Sequence, residues 1–502
     1  MASIPIERGT AQWSSRFAFI MAAVGSSVGL GNLWRFSSEL GTNGGAAFLM
    51  IYVACIIFVG IPVLMSEYII GRAGNAASAV GSSNDLAERS GVSRAWSSGA
   101  WVGMAASFLI VSFYCVVAAW VLAYIPKFVF GQFAGMDANS VTGVWEGIVG
   151  RAANKELGIT EIKPNPNSIL GYFLLFAGLT AWLVSRGVNK GIELAARLLM
   201  PVFFLLLLCL AIFSIVSSIE SGGTADALGF MFTPDFSKIT PKVAQSALGQ
   251  ACFSIGIGNA IMITYGSYLP KDVSIPKSAV TVSLVDTLVA IVAGLMIFPI
   301  FFKNKLYTCT EKGLEMFGEK ENFLELCFQA GEFEVASGTG LFFKAIPTAL
   351  AAIPGGMIVG AAFFFLAFFA AITSSVSLLE PSVAYLAEKT GWTKRKAAWI
   401  TGGAITIFGL GSLYISGFFG FIDEGLAGPI LAPLSALLIV LFTGWRLNKA
   451  ILAQELEGPG ESLGRFILFF VRYVAPIFMG FVLIAGTWSR WIAPLIAPLP
   501  AN

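Results

Sequence analysis

A six-residue pattern occurs twice in this chain, each time inside a hydrophobic segment long enough to cross a bilayer. Residues 27–32 read Ser-Val-Gly-Leu-Gly-Asn, and residues 254–259 read Ser-Ile-Gly-Ile-Gly-Asn. Each glycine lowers helix propensity by about 1 kcal/mol relative to alanine, so both copies predict a break in a helix. The alternative is that the glycines let two helices pack closely. An unwound backbone is tolerated in a membrane only beside protein or a polar cavity, so two matching breaks predict a binding site near the bilayer midplane, as in secondary transporters.

The composition indicates a membrane protein. Hydrophobic residues make up 56% of the 502 residues and charged residues only 12%, whereas soluble domains contain about 25% charged residues. No small-residue cleavage site precedes the first span, so we expect that span to anchor the chain. The net charge of +2 gives no reason to expect nucleic-acid binding. The sequence has no histidine, the commonest general base and metal ligand, which argues against an enzyme.

The hydrophobic segments predict an all-α polytopic protein with eleven transmembrane helices embedded in lipid. This odd number places the termini on opposite sides. Lys and Arg are frequent in the connections on the N-terminal side, whereas the short connections on the other side hold only Arg35, Lys238, Lys242 and Arg490. The positive-inside rule therefore predicts a cytoplasmic N-terminus and an external C-terminus. The predicted spans are 14–36, 46–71, 97–126, 168–185, 192–217, 242–267, 279–302, 350–386, 394–415, 426–446 and 465–489.

The two copies of the pattern lie in spans one and six, which suggests an internal repeat. Five spans in each repeat would give the repeats inverted topologies. We expect residues 1–12 to form a cytoplasmic segment, 13–217 the first repeat, 241–446 the second repeat, and 465–489 an eleventh helix outside both.

Two long connections, 127–167 and 303–347, fall on the external side. The second contains an amphipathic stretch at 322–328 that predicts a short helix, and loops of this length usually have a function, here plausibly as a lid over an outer vestibule. Cys309 and Cys327 lie in this connection and could form a disulfide if it faces an oxidising side.

Residues 28–36, Val-Gly-Leu-Gly-Asn-Leu-Trp-Arg-Phe, strongly resemble the neurotransmitter:sodium symporter family. This resemblance implies a leucine-transporter-like fold with spans 1 and 6 broken, and sodium-coupled amino-acid uptake by alternating access. An eleven-span member would lie in the bacterial cytoplasmic membrane as a monomer or homodimer. Further matches occur at 43–48, 60–62, 67–72, 190–193, 250–254, 264–268, 373–375 and Pro381.

The resemblance implies two sodium sites. Unwound backbone carbonyls and hydroxyls provide the hard oxygen ligands that sodium prefers. Read without the resemblance, the hydroxyls at 373–375 stand in an apolar helix, and the alternative is that they bond back to their own helix. The first site would use the carbonyl of Ser27 with Asn32, Ser254 and Asp286; the second would use the carbonyls of Gly25, Val28 and Ala370 with the hydroxyls of Thr373 and Ser374.

Asp286 is an ionisable residue deep in the seventh span, where charge is costly and function is the default explanation. The alternative is that it only bonds a neighbour. Well-known family members have asparagine here and a glutamate, or a chloride beside a serine, one turn later, where this chain has Ala290. Two sodium ions and a zwitterion sum to +2, so we predict that Asp286 supplies the negative charge and that transport does not require chloride.

The expected substrate is a neutral amino acid bound between the two breaks. Its carboxylate would meet the N–H groups of Leu30 and Gly31 at the start of a half-helix, and the first sodium ion between Ser27 and Ser254. The resemblance places Asn259 in the pocket for the substrate side chain, which would make this pocket roomier or more polar than a leucine site. A desolvated asparagine amide needs hydrogen-bond partners, which a polar substrate could supply. The resemblance assigns Tyr114 to the carboxylate, Ser26, Phe253 and Ser374 to the amine, and Ile110, Gly256, Asn259 and Leu378 to the side chain.

The resemblance also implies gates at both ends of the site. Outside, Arg35 would pair with Asp423 above Phe253, although the neighbouring Glu424 leaves open which carboxylate pairs. Inside, Arg8 would face Glu388 and Tyr268. Glu67 matches a glutamate that accepts N–H groups of the broken helices, and Glu380 stands where a neutral amide is expected, without an assigned role.

The sequence therefore predicts a symporter that imports neutral L-amino acids with two sodium ions. The alternatives are a sodium-coupled carrier of another small amine or betaine, and a channel or nutrient sensor. A membrane enzyme is disfavoured because no nucleophile–base arrangement is visible.

Overall fold

The computed structural model describes residues 12–149, 151–154, 159–162, 169–318, 320, 322–330, 333–335, 338–458 and 460–496. Over these residues the fold is almost wholly helical. The part of the chain up to Ser267 contains one hairpin and eleven helices, ten before the second glycine break and one after it. The elements are α1 (Arg16–Ser27), α2 (Gly31–Thr42), α3 (Ala46–Ala73), α4 (Ala79–Arg89), α5 (Arg94–Val129), α6 (Ala138–Val149), β1 (Arg151–Asn154), β2 (Ile159–Ile162), α7 (Leu170–Ser185), α8 (Val188–Ser217), α9 (Gly223–Phe232), α10 (Pro241–Ile255) and α11 (Ile261–Ser267).

The remainder continues the helical pattern around a second small hairpin. Strands pair antiparallel in both hairpins, β1 with β2 and β3 with β4. The elements are α12 (Ile275–Lys303), β3 (Tyr307–Cys309), α13 (Glu311–Phe317), α14 (Phe323–Gln329), β4 (Phe333–Val335), α15 (338–351), α16 (Gly356–Thr390), α17 (Lys394–Tyr414), α18 (Phe418–Arg446), α19 (Lys449–Leu456) and α20 (Glu461–Ile492).

Eight helices in the described residues are long and apolar enough to cross a membrane: α3, α5, α8, α12, α16, α17, α18 and α20. The pair α1 and α2, bent by 52° at the break between them, makes a ninth when counted as one span. The predicted spans 168–185 and 242–267 correspond to α7 and to α10 with α11, which are individually too short to qualify.

Both copies of the glycine pattern coincide with interruptions of helical structure. After α1 ends at Ser27, Val28 is extended, with φ −74° and ψ 99°. After α10, Gly256 and Gly258 have φ of +72° and +76°, and Ala260 has φ of +57°. Left-handed backbone is accessible to glycine but costs other L-residues about 1–2 kcal/mol, so the glycines explain why the chain unwinds at the second break. Gly29 and Gly31 of the first break do not have positive φ, and they act there through the low helix propensity of glycine.

The interrupted helices are enclosed by long ones. Helix α1 packs against α12 and α16, and α11 packs against α3. Helices α16 and α18 both pack against α5. Glycine allows the closest approach: a Cβ atom on Gly71 of α3 would lie 2.0 Å from the carbonyl oxygen of Ile263 in α11. The two breaks therefore lie inside the bundle.

The connection 303–347 is fastened to the outer end of α2. A disulfide joins Cys309 of β3 to Cys327 of α14. Val335 lies directly against Gly41, where a Cβ would meet it at 3.0 Å, and the N–H of Gly338 donates to the Ser38 hydroxyl at 2.8 Å. The short helix expected at 322–328 is α14.

Candidate ion and substrate site

The carboxylate of Asp286 in α12 joins the two interrupted helices. Its Oδ1 accepts a hydrogen bond from Asn32 Nδ2 at 2.8 Å, and its Oδ2 accepts one from the Ser254 hydroxyl at 2.7 Å. Asn32 also donates to Ser254 Oγ at 3.0 Å, and the Tyr52 hydroxyl donates to the same oxygen at 3.2 Å. Asn32 and Asp286 are completely buried. Three of the four residues predicted for the first sodium site therefore lie in one hydrogen-bonded cluster.

Ser27, the fourth residue predicted for this site, connects the breaks to each other. Its hydroxyl donates to the carbonyl of Ile255, the last residue of α10, at 3.1 Å. Within the first break, Asn32 Oδ1 accepts the N–H of Gly29 at 3.1 Å. Asn32 thus supports the unwound segment with its oxygen while its nitrogen faces Asp286.

A second cluster of oxygens surrounds the Ser374 hydroxyl of α16. It lies 3.5, 3.2 and 3.4 Å from the carbonyl oxygens of Gly25, Ser26 and Val28. The Thr373 hydroxyl instead donates to the carbonyls of Phe369 and Ala370 in its own helix, which is the back-bonding alternative considered for these hydroxyls.

Glycine is required beside this second cluster. A Cβ on Gly29 would lie 2.6 Å from Ser374 Oγ and 3.3 Å from the Tyr114 hydroxyl. A Cβ on Gly31 would lie 2.8 Å from the Phe253 ring. The Tyr114 hydroxyl accepts the N–H of Leu30 at 3.3 Å. The N–H and the hydroxyl predicted to hold a substrate carboxylate are therefore neighbours.

Five of the residues predicted to contact the substrate differ in burial from their neighbours in the chain. Each of the five retains a small exposure, while the next residue along its helix or loop retains none or almost none. The exposed members of these pairs are Ile110, Tyr114, Asn259, Ser374 and Leu378 at 7–8%, and the enclosed members are Val111, Cys115, Ala260, Ser375 and Leu379 at 0–1%. Nothing described lies within 4 Å of where a Cβ on Gly256 would be.

The second break is held from two sides. Glu67 of α3 is completely buried, and its Oε1 accepts the N–H of Gly258 at 2.7 Å. On another side, Gly258 approaches α18 so closely that a Cβ would lie 2.1 Å from the carbonyl oxygen of Ala432. Glu67 thus provides the acceptor that an unwound N–H requires away from water.

Comparison with known proteins identifies the family. A family model described as the sodium:neurotransmitter symporter family matches residues 10–140 and 166–488. The chain belongs to that family. It is therefore a sodium-dependent multi-pass membrane transporter and not an enzyme.

Individual relatives of this symporter agree with the assignment. It is 33% identical over 486 residues to the uncharacterized sodium-dependent transporter YhdH of Bacillus subtilis (strain 168), covering 94% of this chain and 96% of the relative. It is 27% identical over 336 residues to the sodium-dependent neutral amino acid transporter B(0)AT2 of Bos taurus, covering 61% and 43% of the two chains. The crystal structure of MhsT in complex with L-phenylalanine matches with a TM-score of 0.78 and 36% identity, covering 95% of this chain and 100% of that one.

The ion pair between Arg35 and Asp423, predicted as part of an outer gate, is not formed in the structure. Arg35 Nε lies 3.9 Å from Glu39 Oε1, and its guanidinium lies over the Phe253 ring, 4.3 Å from the centroid. Glu39 is one helical turn further along α2, so it reaches Arg35 without any contribution from α18. Glu424, the other acidic candidate, pairs with Arg490 at 3.3 Å. The i,i+4 spacing of Arg35 and Glu39 in the sequence could have predicted this pair.

At the inner end of the symporter, Glu380 rather than Glu388 is the carboxylate that contacts Tyr268. The Tyr268 hydroxyl donates to Glu380 Oε1 at 2.8 Å, and Lys394 of α17 forms an ion pair with the same carboxylate. Glu388 Oε2 accepts the N–H groups of Ala77 and Ser78 at the start of α4. Arg8, its predicted partner, lies outside the described residues.

Lys394 was not predicted to pair with Glu380, although a buried carboxylate in the eighth span indicates that a cation lies nearby. Trp13, near the start of the described residues, packs against the segment that carries Tyr265 and Tyr268. Trp13 is almost fully buried, its N–H donates to the Tyr268 carbonyl at 3.2 Å, and its indole donates to the Tyr265 carbonyl at 3.1 Å.

Proposed function

We propose that this protein imports neutral L-amino acids together with two sodium ions by alternating access. The observation that carries the proposal is that two oxygen-rich clusters, around Asp286 and Ser374, flank the Leu30 N–H and the Tyr114 hydroxyl between the two breaks. The printed names of B(0)AT2 and of the MhsT complex with phenylalanine support an amino-acid substrate.

The proposed arrangement in the membrane has eleven spans, with residues 13–217 and 241–446 as inverted repeats. Adding α7 and the pair α10 and α11 to the nine spans counted by length gives this number. Spans one and six are then the broken ones, bent α1–α2 and interrupted α10–α11. The distribution of Lys and Arg supports a cytoplasmic N-terminus in a bacterial cytoplasmic membrane, and the Cys309–Cys327 disulfide supports an external position for residues 303–347.

In the proposed mechanism the unwound segments supply the ion ligands. The first ion would be held by the Asp286 carboxylate with Ser254, Asn32 and the carbonyl of Ser27. The second would be held by carbonyls of Gly25, Val28 and Ala370 with Thr373 and Ser374. Binding there would require the hydroxyls to turn their oxygens toward the ion, since Thr373 and Ser374 now donate to carbonyls.

The substrate would lie beside these ions, among the predicted substrate residues that retain a small exposure. Its carboxylate would accept from Leu30, Gly31 and Tyr114, where the positive end of the half-helix α2 favours an anion. Ser26, Phe253 and Ser374 would surround its ammonium group, and the side chain would extend toward Gly256 and Asn259. The outer gate would close by moving Arg35 from Glu39 to Asp423.

Energetically, two sodium ions suffice for strong accumulation. Moving one charge through 100 mV releases about 2.3 kcal/mol. Two ions release about twice that, which at about 1.4 kcal/mol per tenfold supports roughly thousandfold accumulation of a zwitterion.

An uptake screen in proteoliposomes tests the proposal. Labelled amino acids and betaine would be supplied with an inward sodium gradient, with sodium and chloride varied independently. We expect sodium-driven uptake of neutral amino acids that betaine does not inhibit. Uptake of betaine alone, or substrate binding without sodium-driven accumulation, would contradict it.

Asp286 is proposed to replace chloride as the compensating negative charge. Uptake should therefore persist when chloride is exchanged for gluconate. A collapse of uptake under this exchange would contradict the proposed role of Asp286. In Asp286→Asn, residual uptake should fall or become dependent on chloride.

A further inference from the structure

Asn259, in the second break, carries an acceptor that the protein does not use. Its Nδ2 donates to the carbonyl of Gly256 at 3.2 Å, while its Oδ1 is buried and has no hydrogen-bond partner in the described residues. Because a carbonyl can only accept, the Gly256 bond requires the amide nitrogen to face it and leaves the oxygen on the other side. The orientation of this side chain is thus determined by its own loop.

Asn259 is one of the residues proposed for the pocket of the substrate side chain. The residue as a whole retains 7% exposure while its Oδ1 is buried, and apart from the chain neighbours of Gly256 no described atom lies within 4 Å of the position of a Cβ on Gly256. The other residues proposed for the side-chain pocket, Ile110 and Leu378, are apolar and offer no donor. A buried amide oxygen without a donor is unfavourable, so a ligand that brings one gains affinity relative to a ligand that does not.

We propose that Asn259 makes the transporter select neutral amino acids whose side chain carries an O–H or N–H donor over apolar amino acids of the same shape. This inference rests on the proposed function, because it requires the substrate side chain to reach Asn259. A donor on the substrate satisfies Oδ1, whereas an apolar isostere displaces water and leaves the oxygen unpaired. Sites that pair with a polar substrate group reject the analogue lacking it more strongly than apolar pockets reject a size change.

Competition by matched pairs of unlabelled amino acids tests this selection. In proteoliposomes with a sodium gradient, the pairs threonine and valine, glutamine and methionine, and tyrosine and phenylalanine would compete with uptake of a labelled neutral amino acid. We expect the donor-bearing member to inhibit at about tenfold lower concentration in the pair whose length fits the pocket. Equal inhibition within every pair would overturn the inference.

Variants assign the preference to Asn259. In Asn259→Leu the ratio within the preferred pair should fall to about one or reverse, and Asn259→Ala, which removes the same acceptor without adding volume, should show the same fall. Ser214→Ala is a control, since it removes another buried polar group without a partner in the described residues, located in α8 outside both breaks. A preference that persists in Asn259→Leu would overturn the role of Asn259.

The outcomes separate this inference from the proposed function. If the unaltered protein shows no sodium-driven uptake of any amino acid, the proposed function fails. If uptake is present but donors bring no advantage, only the selection by Asn259 fails. If Asn259→Leu does not fold, the isosteric pairs on the unaltered protein and on Asn259→Ala still decide the matter.

Discussion

The two glycine breaks share one sequence pattern but occupy different environments. In the first, Asn32 is fully buried and bonds Gly29, Ser254 and Asp286. In the second, Asn259 donates to the carbonyl of Gly256, and its oxygen has no hydrogen-bond partner in the described residues. The pattern therefore creates an interruption of the helix, while the surrounding helices decide which partners its asparagine meets.

The serines of the two copies differ in the same way. Ser254 bonds Asp286, Asn32 and Tyr52, whereas the Ser27 hydroxyl bonds only the backbone carbonyls of Ala23 and Ile255. The second serine thus contributes its side chain to the cluster. The first serves to connect one break to the other.

The largest effect is expected for Gly258→Ala. Both Gly258 and Gly256 have left-handed φ, but a Cβ on Gly258 would lie 2.1 Å from the Ala432 carbonyl oxygen, whereas one on Gly256 meets nothing within 4 Å. Gly258→Ala should destabilise the fold by about 3 kcal/mol from strain and overlap together. Gly256→Ala, the matched control, should cost only the backbone term of about 1–2 kcal/mol. Thermal unfolding in detergent measures both, and equal losses would refute the role of the Ala432 contact.

The next largest effect, a loss of transport rather than of stability, is expected for Asn32→Ala. The substitution removes the hydrogen bonds that Asn32 makes with Asp286 Oδ1 and with the Gly29 N–H, while Ser254 still donates to Asp286 Oδ2. Hydrogen bonds to charged groups contribute about 1.5–3 kcal/mol. Sodium-driven uptake should fall about 100-fold at unchanged expression. Asn304→Ala, which removes an asparagine that caps the outer end of α12, should leave uptake unchanged. Normal sodium activation of Asn32→Ala would exclude this cluster as an ion site.

A smaller effect, on the sodium concentration for half-maximal uptake, should distinguish Ser254→Ala from Ser27→Ala. Ser254→Ala removes three side-chain contacts of the cluster, so the sodium concentration for half-maximal uptake should rise about tenfold. Ser27→Ala should raise it about twofold or less, because its proposed ligand is the backbone carbonyl, which the substitution retains. Sodium titrations of initial uptake rates distinguish them. A larger effect at Ser27 would reverse the assignment of the two copies.

The smallest effect is expected for Tyr52→Phe. It removes one of the three hydrogen bonds at Ser254 Oγ and leaves those with Asp286 and Asn32. Uptake should fall about threefold, in line with about 0.5–1.5 kcal/mol for a neutral hydrogen bond. Tyr68→Phe, whose hydroxyl meets only the Met262 sulfur at 3.6 Å, is the control. A loss as large as that of Asn32→Ala would mean that Tyr52 itself belongs to the ion site.

The residues predicted for the two gates have contacts that differ from those the sequence predicted. The sequence assigned Arg35 to Asp423, but the structure pairs Arg35 with Glu39 one turn away. It left Glu380 without a role, but the structure places Lys394 and Tyr268 on it. Glu39 reaches Arg35 through the local i,i+4 spacing within α2. Tyr268, Glu380 and Lys394 belong to different segments of the chain, and only the relative placement of those segments brings them together.

The sequence by itself determined the membrane character, the family and the positions of both interruptions. Long apolar runs have no stable alternative to helices in lipid, and glycine pairs weaken a helix wherever they occur, so these are local consequences of residue type. Only the tertiary structure decided that Asn32 turns to Asp286 while Asn259 keeps a free acceptor. Hydrogen-bond partners are chosen by which helices surround each break, and residues 32 and 286, far apart in the chain, become neighbours only when the bundle forms.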